Sequence, residues 1–358
     1  MIGGFLGAGK TSMIVRMARY LRSLGESVAV ITNDQGSDLI DTRTIAAADA
    51  FVVEIVGGCF CCRFHELESV IQGVINEHHP TWILSEAVGS CTDLVATVMR
   101  PLRRLYRETL RLRPVSVVVD PARALCLLCD RPQNFSEEIA YLYRQQLCEA
   151  DVILLNKSDV TTQSVSNAVR SVLKTVNPGA TIVQTSALTG DGLTDWADLL
   201  CHGTEKVAEN PLVQLDYDVY AQAEAQLGWV NLRVEARGRE PFSASKFLRE
   251  IGAELQTRLR EKRFETAHVK MLGLSARSPV IGSLTTSAGQ WRWSDSGDTM
   301  TPEALILVNA RVSAPPEELL DCVMRSLDIV STARGIPYGV IASQAFRPAR
   351  PTPSYREA

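Results

Sequence analysis

Gly4-Phe5-Leu6-Gly7-Ala8-Gly9-Lys10-Thr11 fits the pattern G-x-x-x-x-G-K-[ST] and runs into an amphipathic stretch over 11–24. The pattern predicts a strand-to-helix turn that cradles phosphate. Its glycines let backbone N–H groups converge on phosphate oxygens, and the helix that follows adds the positive end of its dipole at the same point. Gly4, Gly7, Ala8, Gly9, Lys10, Thr11 and Ser12 are the candidate phosphate-binding residues. Lys10 would reach the β- and γ-phosphates, and Thr11 would give its hydroxyl to Mg²⁺. Only Met1, Ile2 and Gly3 precede the loop, although a strand feeding such a loop lies centrally in its sheet. The expectation is either a very short first strand or a start further upstream.

Outward from the loop, near-continuous apolar runs at 27–32, 50–56, 82–84, 115–119, 152–155 and 181–184 alternate with helix-like segments. Strands covered on both faces read this way, so an α/β domain with a doubly wound, mainly parallel sheet is expected over 1–201. A polar stretch broken by Gly203 and Pro211 is expected to be the linker, 202–215. Strands at 229–235, 268–274, 280–285, 290–294, 304–312 and 338–343, with helices at 243–260 and 316–333, predict a smaller α+β domain of ferredoxin-like type over 216–345. The tail, 346–358, carries Pro348, Pro351 and Pro353 and is expected to be disordered.

The strand ends carry the chemistry. Asn156-Lys157-Ser158-Asp159 follows the apolar run 152–155, where a doubly wound sheet presents its ligand residues. A carboxylate there accepts from the ring N–H and the exocyclic amine of guanine, which adenine does not offer, so Asp159 selects GTP. Thr185-Ser186-Ala187 fits a loop whose backbone N–H meets the guanine carbonyl. Asn156 and Asp159 as simple helix caps is the competing reading. Trp82-Ile83-Leu84-Ser85-Glu86-Ala87-Val88-Gly89 ends in an acid with a glycine three residues on. Glu86 is placed at the Mg²⁺ shell, and the Gly89 N–H at the γ-phosphate. Asp34 and Asp41 follow another strand end and read equally as switch-loop residues facing metal or attacking water and as surface turn residues. Lys10, Glu86 and Asp34 are the candidate catalytic set.

The 358 residues are 46% hydrophobic and 22% charged with a net charge of −4, an ordinary globular composition long enough for two domains. That balance disfavours nucleic acid and anionic membrane as partners. No apolar run reaches the 18 residues or so of a spanning helix, and with no leader before the loop a cytoplasmic location is expected. Nine cysteines in such a chain predict reduced thiols rather than a disulfide framework.

Three of those cysteines fall in Gly57-Gly58-Cys59-Phe60-Cys61-Cys62. Neighbouring strand residues point to opposite faces, so convergence of all three sulfurs requires an irregular turn, which the glycines permit. Three thiolates suit Zn²⁺, Cu⁺ or Co²⁺ and leave a fourth position open. Packing thiols and a redox pair are the other readings. His65 and Cys91 are possible extra ligands, while Cys126, Cys129, Cys148, Cys201 and Cys322 read as packing residues. Arg100, Arg103, Arg104, Arg107 and Arg111 recur on one face of an expected helix opened by Pro101, either a solvated face or a docking face for an acidic partner.

The phosphate loop, G-G-C-x-C-C, apolar-E-x-x-G, N-K-x-D and S-A, in this order, resemble the CobW-type GTPases, relatives of the nickel-insertion GTPases of hydrogenase and urease maturation. The likeness is specific over 3–200. It implies a slow, GTP-hydrolysing metallochaperone or metal-insertion protein, with Zn²⁺ or Co²⁺ at Cys59, Cys61 and Cys62, Mg²⁺ at Thr11 and Glu86, and a metal-requiring client protein and a second copy in a homo-oligomer as the partners to expect. Cys91-Thr92 departs from a more usual Ala-Asp, and the histidine-rich tracts of many zinc-handling members are absent. Corrinoid cofactor assembly and a non-catalytic, GTP-gated metal or redox sensor are the alternatives.

Overall fold

The phosphate-loop sequence forms a turn between β1 (Ile2–Gly3) and α1 (Lys10–Ser23) in a computed structural model that describes residues 1–34, 50–129, 135–203, 212–275, 279–295 and 300–357. Met13, Ile14, Met17, Ala18 and Leu21 of α1 recur at helical spacing and are all buried. Each large one contributes roughly 1.5–3 kcal/mol by leaving water. The helix stops where Gly25, at φ 87°, turns left-handed and donates to Arg22 O while Glu26 N donates to Leu21 O.

The described residues form two compact units: the chain up to Ala223 together with Arg350 onward, and Glu224–Ala349. The first is built on seven parallel strands. They are β1, β2 (Val28–Asp34), β3 (Phe51–Val56), β4 (Trp82–Glu86), β5 (Ser116–Val119), β6 (Val152–Leu155) and β7 (Thr181–Gln184), ordered β3-β2-β4-β1-β5-β6-β7. In the central strand β1, Ile2 pairs with both Glu86 and Ser116. Between the strands run α2 (Phe64–His78), a π-turn (Val95–Met99), α3 (Arg100–Leu105), α4 (Pro121–Leu128), α5 (Glu137–Cys148), α6 (Gln163–Val176) and α7 (Leu193–His202). Met13, Ile14, Val30, Leu84, Leu154 and Trp196 belong to one buried apolar cluster of this unit.

One expectation for this unit is corrected. The arginine helix is shorter than its periodicity suggests, since α3 ends at Leu105 and leaves Arg107 and Arg111 outside it. Tyr106 leaves the helical conformation and its hydroxyl is held by Glu68 Oε1 at 2.6 Å and Gln72 Nε2 at 2.7 Å, so tertiary contacts override the pattern. Residues from Arg350 onward belong to this unit, where Thr352 N donates to Cys62 Sγ and Arg356 Nε to Asp93 Oδ2.

The second unit follows α8 (Tyr217–Ala225) with β8 (Gly228–Ser243), α9 (Ala244–Glu261), β9 (Glu265–Leu274), β10 (Pro279–Leu284), β11 (Arg292–Asp295), β12 (Met300–Ser313), α10 (Pro316–Arg334) and β13 (Tyr338–Phe346). Every pair in its sheet, ordered β11-β10-β9-β12-β8-β13, is antiparallel. Without the β10–β11 hairpin, the succession β8-α9-β9-β12-α10-β13 is the ferredoxin-like βαββαβ arrangement. Ser243 caps α9 by accepting from Lys246 N at 3.0 Å. No helix among the described residues is long and apolar enough to cross a membrane.

Candidate functional site

The predicted site residues gather at the carboxyl ends of the parallel strands, where an open α/β sheet receives its ligands. Gly4, at φ 127°, lies against the backbone of β5, and a Cβ there would sit 2.3 Å from Val118 O. Gly7 (φ 76°) and Gly9 (φ 101°) share its left-handed backbone, and Gly9 caps α1. Lys10 is buried and its Nζ folds back on the loop, 2.9 Å from Gly4 O and 3.4 Å from Phe5 O. Thr11 Oγ1 donates to Glu86 Oε1 at 2.9 Å. Ser12 is exposed on the first turn of α1. Gly89 packs directly on the loop, its absent Cβ lying 2.7 Å from Leu6 Cδ2 and 3.1 Å from Leu6 N.

Asn156 binds the two halves of this site together. Its amide donates to Ala8 O at 2.9 Å and its carbonyl accepts from Ala187 N at 2.9 Å. Lys157 is left-handed at φ 63° and pairs with Asp120, the cap of α4, at 2.5 Å. Asp159 Oδ1 accepts from Ser186 Oγ at 2.7 Å, which orients the carboxylate. Arg16 of α1 donates to Ala187 O at 2.9 Å, tying the same loop back to the phosphate turn.

Cys59, Cys61 and Cys62 lie in the turn between β3 and α2, with Gly57 left-handed at φ 81°. All three are free thiols, with Sγ separations of 2.7 Å (Cys59–Cys61), 3.2 Å (Cys59–Cys62) and 3.8 Å (Cys61–Cys62). They are the one grouping of three or more ligand-capable side chains among the described residues whose donor atoms converge, within 4.8 Å. Cys59 and Cys61 are buried and Cys62 half-buried. Hydrogen bonds from Cys59, Cys62 and Cys91, with burial added, push the Cys61 thiol well above its ordinary value. A cation would have to displace protons to bind. Cys91, buried, is thus a neighbour of Cys61 but lies outside the grouping of three; His65 is exposed and faces Glu68. Cys126 and Cys129 are half-buried at the end of α4.

Asn33 is a residue the sequence reading passed over. Buried at the end of β2, it donates to Ile55 O at 3.1 Å and Gly58 O at 2.6 Å and accepts from Phe60 N at 2.8 Å, fixing the cysteine turn to the sheet. The only hint in the sequence is a polar residue closing an apolar run. Asp34 follows it, its carbonyl accepting from Gly57 N at 3.2 Å. Asp41 lies outside the described residues.

The segment from Glu86 to Asp93 is held by α5. Gln146 Nε2 donates to Gly89 O at 3.0 Å and Cys91 O at 2.9 Å, and Glu149 accepts from Thr92 Oγ1, Asp93 N and, at 3.2 Å, Val95 N. Burial raises the Glu149 carboxyl to about 7 against the opposing effect of those donors. The folded unit therefore keeps a proton that the unfolded chain releases above the ordinary value of 4.5. Stability of this unit should fall as pH rises from about 5 to about 8, by on the order of 3 kcal/mol, and Glu149→Gln should flatten that slope. Urea titrations followed by fluorescence across that range measure both.

Residues 1–184 match the family described as CobW/HypB/UreG, nucleotide-binding domain. The chain belongs to this family. The CobW/HypB/UreG match covers the first unit up to the end of β7 and leaves the second unit outside it. The chain is 30% identical over 173 residues to the zinc chaperone YeiR of Escherichia coli (strain K12), covering 48% of this chain and 49% of that protein. It is 28% identical over 193 residues to the zinc chaperone CobW of Sinorhizobium sp, covering 48% and 53%. The chain spans about half the length of the curated relatives it matches. Among solved structures, HypB from Helicobacter pylori in complex with nickel is similar over 60% of this chain and 89% of that one, at 15% identity and a TM-score of 0.41.

Proposed function

We propose that the chain is a cytoplasmic, GTP-dependent metallochaperone that hydrolyses GTP slowly, carries a thiophilic divalent metal as cargo at Cys59, Cys61 and Cys62, and passes it to a metal-requiring client protein. The observation that carries this reading is the convergence of three sulfurs, in the family's nucleotide-binding domain, on a turn held to the same sheet edge as the phosphate loop. The names of the relatives favour zinc over cobalt.

In this reading Lys10 leaves the Gly4 and Phe5 carbonyls for the phosphates, Asp159 accepts from guanine, and Asn156 keeps the base loop in register with the phosphate loop. Ser186 and Ala187 close the base site. The hydroxyl and carboxylate of Thr11 and Glu86, already paired, suit the hard, oxygen-seeking Mg²⁺, which would neutralise phosphate charge there. Gly89 is pressed on Leu6, so a γ-phosphate at the loop shifts the segment that also carries Cys91, the neighbour of Cys61. Nucleotide state and metal affinity are then linked, each acting on the other by the same factor.

The test is the Zn²⁺ affinity of the reduced protein, by competition with a chromophoric chelator, with GTP·Mg²⁺, with GDP·Mg²⁺ and without nucleotide. A change of about tenfold or more, near 1.4 kcal/mol of coupling, is expected between GTP and GDP. Equal affinities would remove the chaperone reading. The 2.7 Å between Cys59 and Cys61 sulfurs favours one alternative, a GTP-gated redox sensor in which a peroxide takes two electrons and two protons from those thiols, leaving a disulfide and water or alcohol. Oxidation that alters GTP affinity would move that alternative ahead.

A further inference from the structure

The segment 352–357 touches the cysteine turn and its surroundings residue by residue. Thr352 N donates to Cys62 Sγ at 3.2 Å. Ser354 N donates to Cys61 O at 2.9 Å, and its hydroxyl to Cys62 O at 3.2 Å. Tyr355 stands edge-on to Phe64 and His65, at the start of α2, with centroids 5.0 and 5.3 Å away. Arg356 Nε donates to Asp93 Oδ2 at 2.8 Å, and that oxygen also accepts from Tyr217 at 2.6 Å. Glu357 N donates to Ala96 O at 3.1 Å, and its carboxylate lies 3.7 Å from Arg104. Arg100, Arg103, Arg104 and Arg107 line a hollow of about 430 Å³ with Glu357, so the arginine stripe meets an acid of this chain.

The sequence of the segment suits this position. In Pro351-Thr352-Pro353 the prolines have no N–H and hold φ near that of extended chain, so the one backbone donor of the three is Thr352, and it is aimed at sulfur. Asp93, which takes the other end, lies on the segment from Gly89 that packs on the phosphate loop.

We infer that residues 352–357 are a strap that closes over Cys61 and Cys62 and sets access to the sulfur cluster, anchored by Thr352 at one end and by the Arg356–Asp93 pair at the other. Metal leaves, and a receiving protein reaches it, only when the strap lifts. Its role in metal release rests on the metallochaperone reading; its cover of the thiols does not.

The experiment is the rate at which iodoacetamide alkylates Cys62 in the full-length, reduced protein without metal or nucleotide, read by peptide mass spectrometry. Thr352→Pro removes the N–H and Arg356→Ala the far anchor, both at exposed positions. Each is expected to speed alkylation about tenfold, the effect of losing one of the hydrogen bonds that hold the segment over the half-buried Cys62. Thr352→Ala keeps the N–H and is expected to react like wild type. The rate at Cys148, remote in sequence, serves as the folding control. Unchanged Cys62 rates in Thr352→Pro and Arg356→Ala would overturn the strap, and so would an equal gain in Thr352→Ala. In parallel, the same variants loaded with Zn²⁺ are expected to lose it faster to a chromophoric chelator. Faster alkylation in a protein that holds no zinc would leave the strap standing and sink the chaperone reading instead.

Discussion

Replacing Gly4 with alanine should abolish nucleotide binding and destabilise the first unit by roughly 3–5 kcal/mol. Two effects add. The backbone at φ 127° is one that L side chains avoid, and the new Cβ would lie 2.3 Å from Val118 O and 2.9 Å from Val118 N. Neither clash is relieved by turning a side chain, because both partners are backbone of β5, which is hydrogen-bonded to β1 on one side and β6 on the other. The phosphate loop must shift instead, and Lys10 loses its seat on Gly4 O. Gly25→Ala separates the two effects. Gly25 is also left-handed, at φ 87°, but nothing lies within 4 Å of its Cβ position, so only backbone strain of about 1 kcal/mol is expected. Urea unfolding and titration with a fluorescent GTP analogue measure both variants. A Gly4→Ala protein that binds GTP normally would contradict this packing of Gly4 on Val118.

The second large effect is on metal. Cys61→Ser should lower Zn²⁺ affinity about a hundredfold or more, since a neutral hydroxyl replaces a soft thiolate in a shell of only three. Cys59→Ser should match it. Cys91→Ser should change affinity less than about tenfold, as expected of a neighbour that tunes a ligand without being one. GTP affinity without metal should be unchanged in all three. Chelator competition reads the metal and nucleotide titration the rest. If Cys91→Ser loses as much affinity as Cys61→Ser, the donor set has four sulfurs, Cys91 among them.

The parts of the site that were legible in the sequence are those encoded locally. Glycines in the phosphate loop, Asn156 to Asp159 and the E-x-x-G segment each sit where an apolar run stops, and a doubly wound sheet brings such strand ends to one edge. The second unit was equally readable because its strands and helices carry distinct periods; its sheet order follows from the βαββαβ succession with one hairpin inserted. What the sequence hid depends on contacts distant along the chain. Asn33 acts on a turn 25 residues away. Tyr106 ends a helix because Glu68 holds it. The segment 352–357 was the least legible: its prolines leave Thr352 as the backbone donor that bonds to sulfur 290 residues back.

The grip of Asn33 on the cysteine turn has a thermodynamic consequence. Zinc fingers fold as they bind, so much of the intrinsic affinity is spent on ordering the chain. Here one buried amide bonds twice to the turn and once to the strand before it, and the three sulfurs already converge. Little conformational entropy remains to be lost when an ion arrives, or to be regained when it departs. Such a preorganised claw suits exchange: capture and release differ mainly by protons and by access, and small changes in either are enough to reverse the direction of flow.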